Sequence, residues 1–330
     1  MRGAVPLVEI WRGDMVESLH LGHAVICDAG GGIVAAWGDP GQVIYPRSAC
    51  KMIQALPLLE SGAAEAAGLG SEHLALACAS HNGAAIHTDR VSRWLGGLSL
   101  DEWALRCGPQ MPDDPVAREA LICGHVVPGQ VHNNCSGKHA GFLTLGRHLG
   151  AGPEYVEPDH PVQRAARAAF EEVTGEPSPR YAIDGCSAPN FATSLHGLAR
   201  GMARFAAAAD TDPRGRAMVR LREAMMRHPE LVAGEGRACT MLMRAMGGRA
   251  AVKTGAEGVF VAIVPGEGLG VAVKIADGAT RAAECAITAL LVRLGLLSAE
   301  DPAARRYLDA PILNRRGIVT GAVRTAATFA

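Results

Sequence analysis

The chain has 330 residues, 48% of them hydrophobic and 20% charged, the balance of a globular protein with a sizeable core, and its length allows one large domain or two tightly joined lobes. Thirty-two basic side chains against 33 acidic ones leave a net charge of −1, and no basic cluster supplies the footprint of a nucleic-acid binder. No apolar run is long enough for a membrane span, the first residues lack a secretory pattern, and the nine cysteines sit mostly in apolar runs, so reduced thiols in a cytoplasmic protein are expected.

Residues 4–10, 16–27 and 31–37 read as three strands, rich in Val, Leu and Ile and separated by Gly/Asp turns. A helix is predicted from Ser48, its N-cap, through Met52, Ile53, Leu56 and Leu59 to Gly62. Helical segments follow at 63–69, 72–79 and 87–95. Residues 108–132 are rich in Pro, Gly and Asp and read as a long irregular excursion, a kind of loop that is usually functional. Beyond it come a helix ending at Leu149, another over 161–173, a strand over 181–184, and a polar turn through Asn190. Helices over 191–208, 213–227 and 235–246 lead into strands at 250–253, 259–264 and 268–275. A helix over 279–296 closes the pattern, and no element is assigned past Ala299. The fold class expected is α/β (α+β). Strands from 1–45 and 250–297 join into one sheet lobe, and a mostly helical lobe spans 46–249, within a single unit over 1–330.

Three polar motifs carry the chemistry. Ser48-Ala49-Cys50-Lys51 opens a helix, Ser80-His81-Asn82 follows another, and Lys253-Thr254-Gly255 ends a strand. The set S-x-x-K, S-x-N, K-T-G in this order is that of serine acyl-transfer sites in β-lactamases and penicillin-binding proteins. A hydroxyl becomes a useful nucleophile when an unprotonated lysine takes its proton. Two ammonium groups in one cleft repel each other, which favours loss of a proton from one. Each triplet alone has an ordinary explanation, a helix cap or a strand-end lysine, but those explanations do not account for all three together.

A second cluster resembles a metal site. His132, Cys135, Lys138 and His139 lie within eight residues, and Cys186 occupies another polar turn. Thiolate and imidazole are the usual zinc ligands, which makes Cys135 with His132 and His139 one candidate set. A buried cysteine with two turn histidines is the alternative.

These blocks together resemble one family. Tyr45-Pro-Arg47-Ser48-Ala-Cys-Lys51, Cys78-Ala-Ser80-His81-Asn82-Gly, Cys107-Gly-Pro, His132-Asn-Asn-Cys135-Ser-Gly-Lys138-His139-Ala-Gly-Phe, Asp184-Gly-Cys186-Ser-Ala-Pro-Asn and Lys253-Thr-Gly-Ala-Glu-Gly look like the Rhizobium-type (class 3, asparaginase II family) L-asparaginases. The resemblance implies a fold similar to serine β-lactamases and glutaminases, a cytoplasmic homodimer, and hydrolysis of L-asparagine to L-aspartate and ammonia. It implies two Ser–Lys tandems, Ser48 with Lys51 and Ser80 with Lys253. It also implies a Zn2+ held by Cys135, Lys138 and Cys186, with Asp184 and His139 as neighbours, the metal positioning substrate rather than activating water. Charge alone suggests Arg47 as partner of the substrate carboxylate and Asp184 as partner of its ammonium, with Asn82 and His139 as further substrate-binding candidates. A glutaminase or another β-lactamase-like serine hydrolase is the alternative activity. A non-catalytic metal sensor or amino-acid-binding protein, which needs the cysteines but not Ser48 or Lys51, is the alternative of a different class.

Overall fold

The computed structural model describes residues 3–329. Among them, eight strands form one antiparallel sheet. Its order is Ala310–Leu313, Val319–Thr325, Val5–Arg12, Met15–Cys27, Leu269–Ile275, Val259–Val264 and Ala251–Gly255, with Ile33–Trp37 also paired to Met15–Cys27. Strands from the two ends of the sequence therefore build one sheet, as expected, and the fold is α+β.

The long strand Met15–Cys27 joins the two ends. Its first half pairs with Val5–Arg12, and its second half runs from Gly22 opposite Ile275 to Cys27 opposite Gly270. All six residues of Val259–Val264 are buried. Since successive side chains of a strand point to opposite faces, both faces of the sheet are covered there. The helices Leu195–Ala207 and Thr280–Arg293 pack on this strand. Burial of each such Val, Ile or Phe side chain is worth about 1.5–3 kcal/mol.

The chain divides into two compact units. The sheet unit comprises 1–49, 193–207 and 241–330, and the helical unit comprises 50–192 and 208–240. The helical unit is built around the helix Ser136–His148, which Ser71–Ala77, Ala85–Gly97 and Pro161–Thr174 contact.

Several elements differ from the sequence reading, each for a local reason. The helix expected from Ser48 to Gly62 is broken into a 3-10 turn Arg47–Cys50 and two short helices, Lys51–Gln54 and Leu56–Glu60. Pro57 sits in the first turn of the second, where a missing N–H is tolerated, and it cannot continue the first. Ser48 consequently lies inside the 3-10 turn, and Cys50 takes the N-cap position of Lys51–Gln54. The excursion 108–132 contains a helix, Pro115–Cys123, started by the Asp114 carboxylate accepting the Ala117 N–H at 2.8 Å and by Pro115 at its first position. The segment beginning at 191 turns helical only at Leu195. Pro189–Phe191 pairs with Tyr181–Ile183, and Thr193–Ser194 pairs with Val43–Ile44. The tail past Ala299, with no element assigned from the sequence, supplies Ala310–Leu313 and Val319–Thr325 to the sheet.

Candidate active site

The helical unit gathers a buried cluster of amines, thiols and a hydroxyl. Lys51 begins the helix Lys51–Gln54 and is 1% exposed. Its amine donates to Ser80 Oγ at 3.0 Å and to Cys135 Sγ at 3.1 Å, and it makes a short bond to the Ala79 carbonyl. Ser80 lies just past the helix Ser71–Ala77, held by its own N–H on the Val232 carbonyl at 2.9 Å. Among the three partners of Lys51, a carbonyl and a sulfur accept from it in either protonation state. A serine hydroxyl can both accept from and donate to an amine, so Ser80 is the one of the three able to do either.

The neighbouring helix supplies the second half of the cluster. Cys135 caps Ser136–His148, and Lys138 and His139 lie in its first turn, both buried. Gly137 is required there, because a Cβ at this position would stand 2.4 Å from the Leu76 carbonyl oxygen. Only glycine lets the helix start so close to Ser71–Ala77. Lys138 Nζ lies 3.0 Å from Cys186 Sγ, which the turn between Tyr181–Ile183 and Pro189–Phe191 carries inward. The hydrogen bond from Cys135, with the Lys138 ammonium beside it, holds the Cys186 thiol well below the usual thiol range, whereas Cys135 is held well above it. Burial by itself would lower the Lys138 amine, but the adjacent sulfur charge outweighs burial and raises it. Both shifts run toward the charged forms, a thiolate on Cys186 and an ammonium on Lys138. At Cys50 and Cys107 burial outweighs the pull of the same lysines and pushes each thiol up to about 12.

The tautomer of His139 follows from its partners. Tyr155 Oη accepts the Arg106 backbone N–H at 2.8 Å and lies 2.9 Å from His139 Nδ1. Burial pushes His139 down to about 4, so the ring is neutral. The hydroxyl then donates to Nδ1, which leaves the imidazole proton on Nε2. On its other side the ring hydrogen-bonds to Cys186, and that bond and the Cys186 charge both work against burial.

The remaining predicted positions fall as follows. Asp184 is half-buried and shapes its own turn, one oxygen accepting the Gly185 N–H at 2.7 Å and the other the Asn190 side-chain amide at 3.1 Å. Asn82 is buried, with its oxygen accepting the Ala84 N–H at 3.3 Å, and it packs where a Cβ at Gly234 would stand 2.3 Å from it. Ser48 and Arg47 are half-buried in the sheet unit. Lys253 is fully buried on Ala251–Gly255, its amine on the Thr254 carbonyl at 2.7 Å. A Cβ at Gly255 would meet the Pro46 carbonyl oxygen at 2.7 Å and the Ala49 nitrogen at 3.0 Å. The Lys253-Thr254-Gly255 strand thus runs directly against the turn that holds Ser48.

One ligand set read from the sequence is not assembled. His132 Nδ1 accepts the Gly129 N–H at 3.1 Å, and His139 Nδ1 is occupied by Tyr155. Among the described residues no group of three or more His, Cys, Asp or Glu side chains is arranged to hold a metal. The cluster that does converge is two thiols and the amine of Lys138.

Sequence reasoning missed Tyr155 and Asn190. Asn190 is buried, with its side-chain oxygen left without a partner. It also missed the left-handed backbone of Arg47 (φ 52°) and Ser187 (φ 69°), a conformation that non-glycine residues seldom adopt and that clusters at functional sites.

Buried serine, lysine and thiolate groups on an α+β scaffold define a candidate centre for acyl-transfer hydrolysis. A family profile for L-asparaginase II matches residues 8–325, nearly the whole chain, and the chain belongs to that family. It is accordingly a hydrolase of the asparaginase type. A comparison with curated protein sequences returns no significant match. Among solved structures, the chain is similar to a β-lactamase from Mycobacterium bovis, at 15% identity over 84% of this chain and 95% of that one, with a TM-score of 0.47. It is also similar to an octameric penicillin-binding protein homologue from Pyrococcus abyssi, at 12% identity over 85% of this chain and 75% of that one, with a TM-score of 0.37. Among the described residues, no helix is long and apolar enough to cross a membrane.

Proposed function

We propose that the protein hydrolyses the side-chain amide of L-asparagine to give L-aspartate and ammonia, as a cytoplasmic homodimer. Family membership supports the asparaginase-type reaction, and the Lys51 amine 3.0 Å from Ser80 Oγ is the observation that supports a lysine-assisted serine centre, whichever serine attacks. Ser48 attacks the amide carbon, and Lys51 accepts its proton. Ser80, hydrogen-bonded to Lys51, passes a proton to the departing nitrogen, with Lys253 as its second lysine. The C–N bond breaks, ammonia leaves, and water cleaves the acyl-enzyme to restore the serine hydroxyl.

Cys135, Cys186 and Lys138 are the residues that would hold a Zn2+. Their donor set suits it, since one thiol is already ionised and the Lys138 proton is what a cation would displace. When bound, zinc supplies positive charge that orients the amino-acid end of the substrate. Asp184 and Arg47 are the charged groups proposed to select the substrate ammonium and carboxylate, with His139 and Asn82 as further substrate-binding candidates.

Ammonia release from asparagine by the purified protein is the decisive assay. Ser48→Ala is expected to lower turnover at least about a thousandfold with the fold intact by circular dichroism. A variant with normal turnover overturns the assignment. Because the base must be unprotonated, turnover is expected to rise toward alkaline pH, and a flat profile counts against Lys51. A second reading is favoured by the Lys51–Ser80 bond itself, namely that Ser80 is the nucleophile. Trapping the acyl-enzyme and identifying the modified serine by mass spectrometry separates the two. Parallel assays with glutamine and a chromogenic β-lactam test the alternative activities.

A further inference from the structure

A cavity of about 470 Å³ opens in the helical unit where the helices Ala85–Gly97 and Ser136–His148 end near Ala63–Ala66. Its apolar surface comes from Ala63, Leu69, Leu98 and the buried Trp94, whose indole N–H is taken by Thr144 at 3.0 Å. Its polar surface comes from Arg93, Arg147, His148 and His73, and no carboxylate lines it. The acids on adjacent helices are engaged elsewhere: Glu72 grips Arg90 through two bonds of 3.0 and 3.1 Å, and Glu65 is held by Arg220. Arg147 is tethered to the Leu98 carbonyl, which fixes its guanidinium at the wall. The side chains of Arg93 and His148 have no hydrogen-bond or ion-pair partner among the described residues. His73 Nδ1 accepts the Gly70 N–H at 3.2 Å, so a neutral ring presents its proton on Nε2 as one more donor.

We propose that this cavity binds a small organic anion with a flat apolar body, an aromatic carboxylate in chemical class. The apolar floor takes the body, and the charge is met by the guanidinium groups of Arg93 and Arg147, the side chains best suited to planar carboxylate recognition. Asparagine itself is the wrong shape and charge for the site. It has no apolar body, and its ammonium would face two guanidinium groups. Favourable placement of cations at helix C-termini accounts for Arg147 and His148 in the last turn of Ser136–His148, but not for the cavity between them and its apolar lining. The same helix carries Lys138 and His139 at its other end, so an occupant would rest on an element that also builds the catalytic cluster.

Isothermal titration of the full-length protein with phenylacetate and with its neutral counterpart phenethyl alcohol tests the proposal. Phenylacetate should bind at one site and the alcohol at least about tenfold more weakly, the factor that about 1.4 kcal/mol of charge recognition produces. Arg93→Met should weaken phenylacetate about fivefold and leave the alcohol unchanged. Ala66→Trp, which fills the rim, should remove both while asparagine turnover stays the same. Equal binding of acid and alcohol, binding indifferent to both substitutions, or no heat at tens of millimolar phenylacetate would each overturn it, the last including the case in which a second copy of the chain covers this face.

Discussion

The two units bury the same kinds of ionisable side chain, and one pair in the helical unit, Cys186 with Lys138, departs from what burial does to the others. In the sheet unit, burial pushes Cys27 up to about 11 and Cys285 up to about 12, so both behave as small apolar residues. Lys274 there is also buried, its amine lowered by burial and hydrogen-bonded to the carbonyls of Glu257 and Ile275 at 2.5 and 2.6 Å. In the helical unit, Cys186 is driven the other way and Lys138 is raised, because each supplies the opposite charge that the other lacks water to provide. Burial sets the default, which is neutrality. A partner at 3.0 Å reverses it, and the helical unit is where the chain places that partner.

The most direct way to break this comparison is to delete one member of the pair. Cys186→Ala leaves the Lys138 ammonium buried without a counter-charge and should cost about 3–5 kcal/mol, read by chemical denaturation. Cys285→Ala, which removes a neutral thiol of similar burial, should cost about 1 kcal/mol. Lys138→Met placed on top of Cys186→Ala should recover much of the loss. Equal costs for the two cysteine variants would show that Cys186 is an ordinary buried thiol.

Acid should separate the units next. Burial lowers His73, His81, His87 and His139 in the helical unit, and among the described residues of the sheet unit it lowers His23. A depressed folded-state value means that the unfolded chain binds protons first as pH falls below 6.5. Stability held in full above that point is therefore lost progressively down through the folded values. One pH unit below 6.5, His139, held down to about 4, contributes about 1 kcal/mol of destabilisation, and the others add in the same direction. Hydrogen exchange at descending pH should find the helical unit opening before the sheet unit, and simultaneous opening would show that the buried histidines do not decide it. A smaller effect is expected from Tyr155→Phe. The substitution leaves the Arg106 N–H and His139 Nδ1 without their shared hydroxyl, at a cost of about 1–3 kcal/mol by thermal denaturation.

The contrast also explains what could be read in advance. The strands were legible because Val259–Val264 and Leu269–Ile275 are β-branched runs bounded by glycines, a local signal. Lys138 and Cys186 meet in the fold, although the sequence places them far apart. Their convergence rests on a contact across 48 residues, which no spacing rule contains. The spacing set Lys51 three residues from Ser48, but its bond to Ser80 crosses 29 residues and came only from the fold. Tyr155 carried no motif; its scarcity was its one signal, as one of four tyrosines in a chain with 4% aromatics. The tail strands Ala310–Leu313 and Val319–Thr325 carry a proline, a glycine and polar residues and become strands by pairing with each other and with Val5–Arg12, a tertiary effect that outweighs local preference.

The mildest test turns the comparison around in the sheet unit. Lys274 is a buried lysine with backbone carbonyls as its partners and, among the described residues, no buried counter-ion; the acids that act on it, Glu257 and Asp277, are both more exposed. Replacing it by methionine removes the unfavourable burial of the amine and keeps most of the side-chain volume, while the two carbonyls lose a donor. These terms oppose each other, so Lys274→Met should move stability by no more than about 1 kcal/mol in either direction. Lys138→Met alone, which strands a buried thiolate, should be several-fold more damaging in the same denaturation assay. If Lys274→Met proves as costly as Lys138→Met, backbone carbonyls serve a buried amine as well as a thiolate does, and the partner's charge is not what distinguishes the two units.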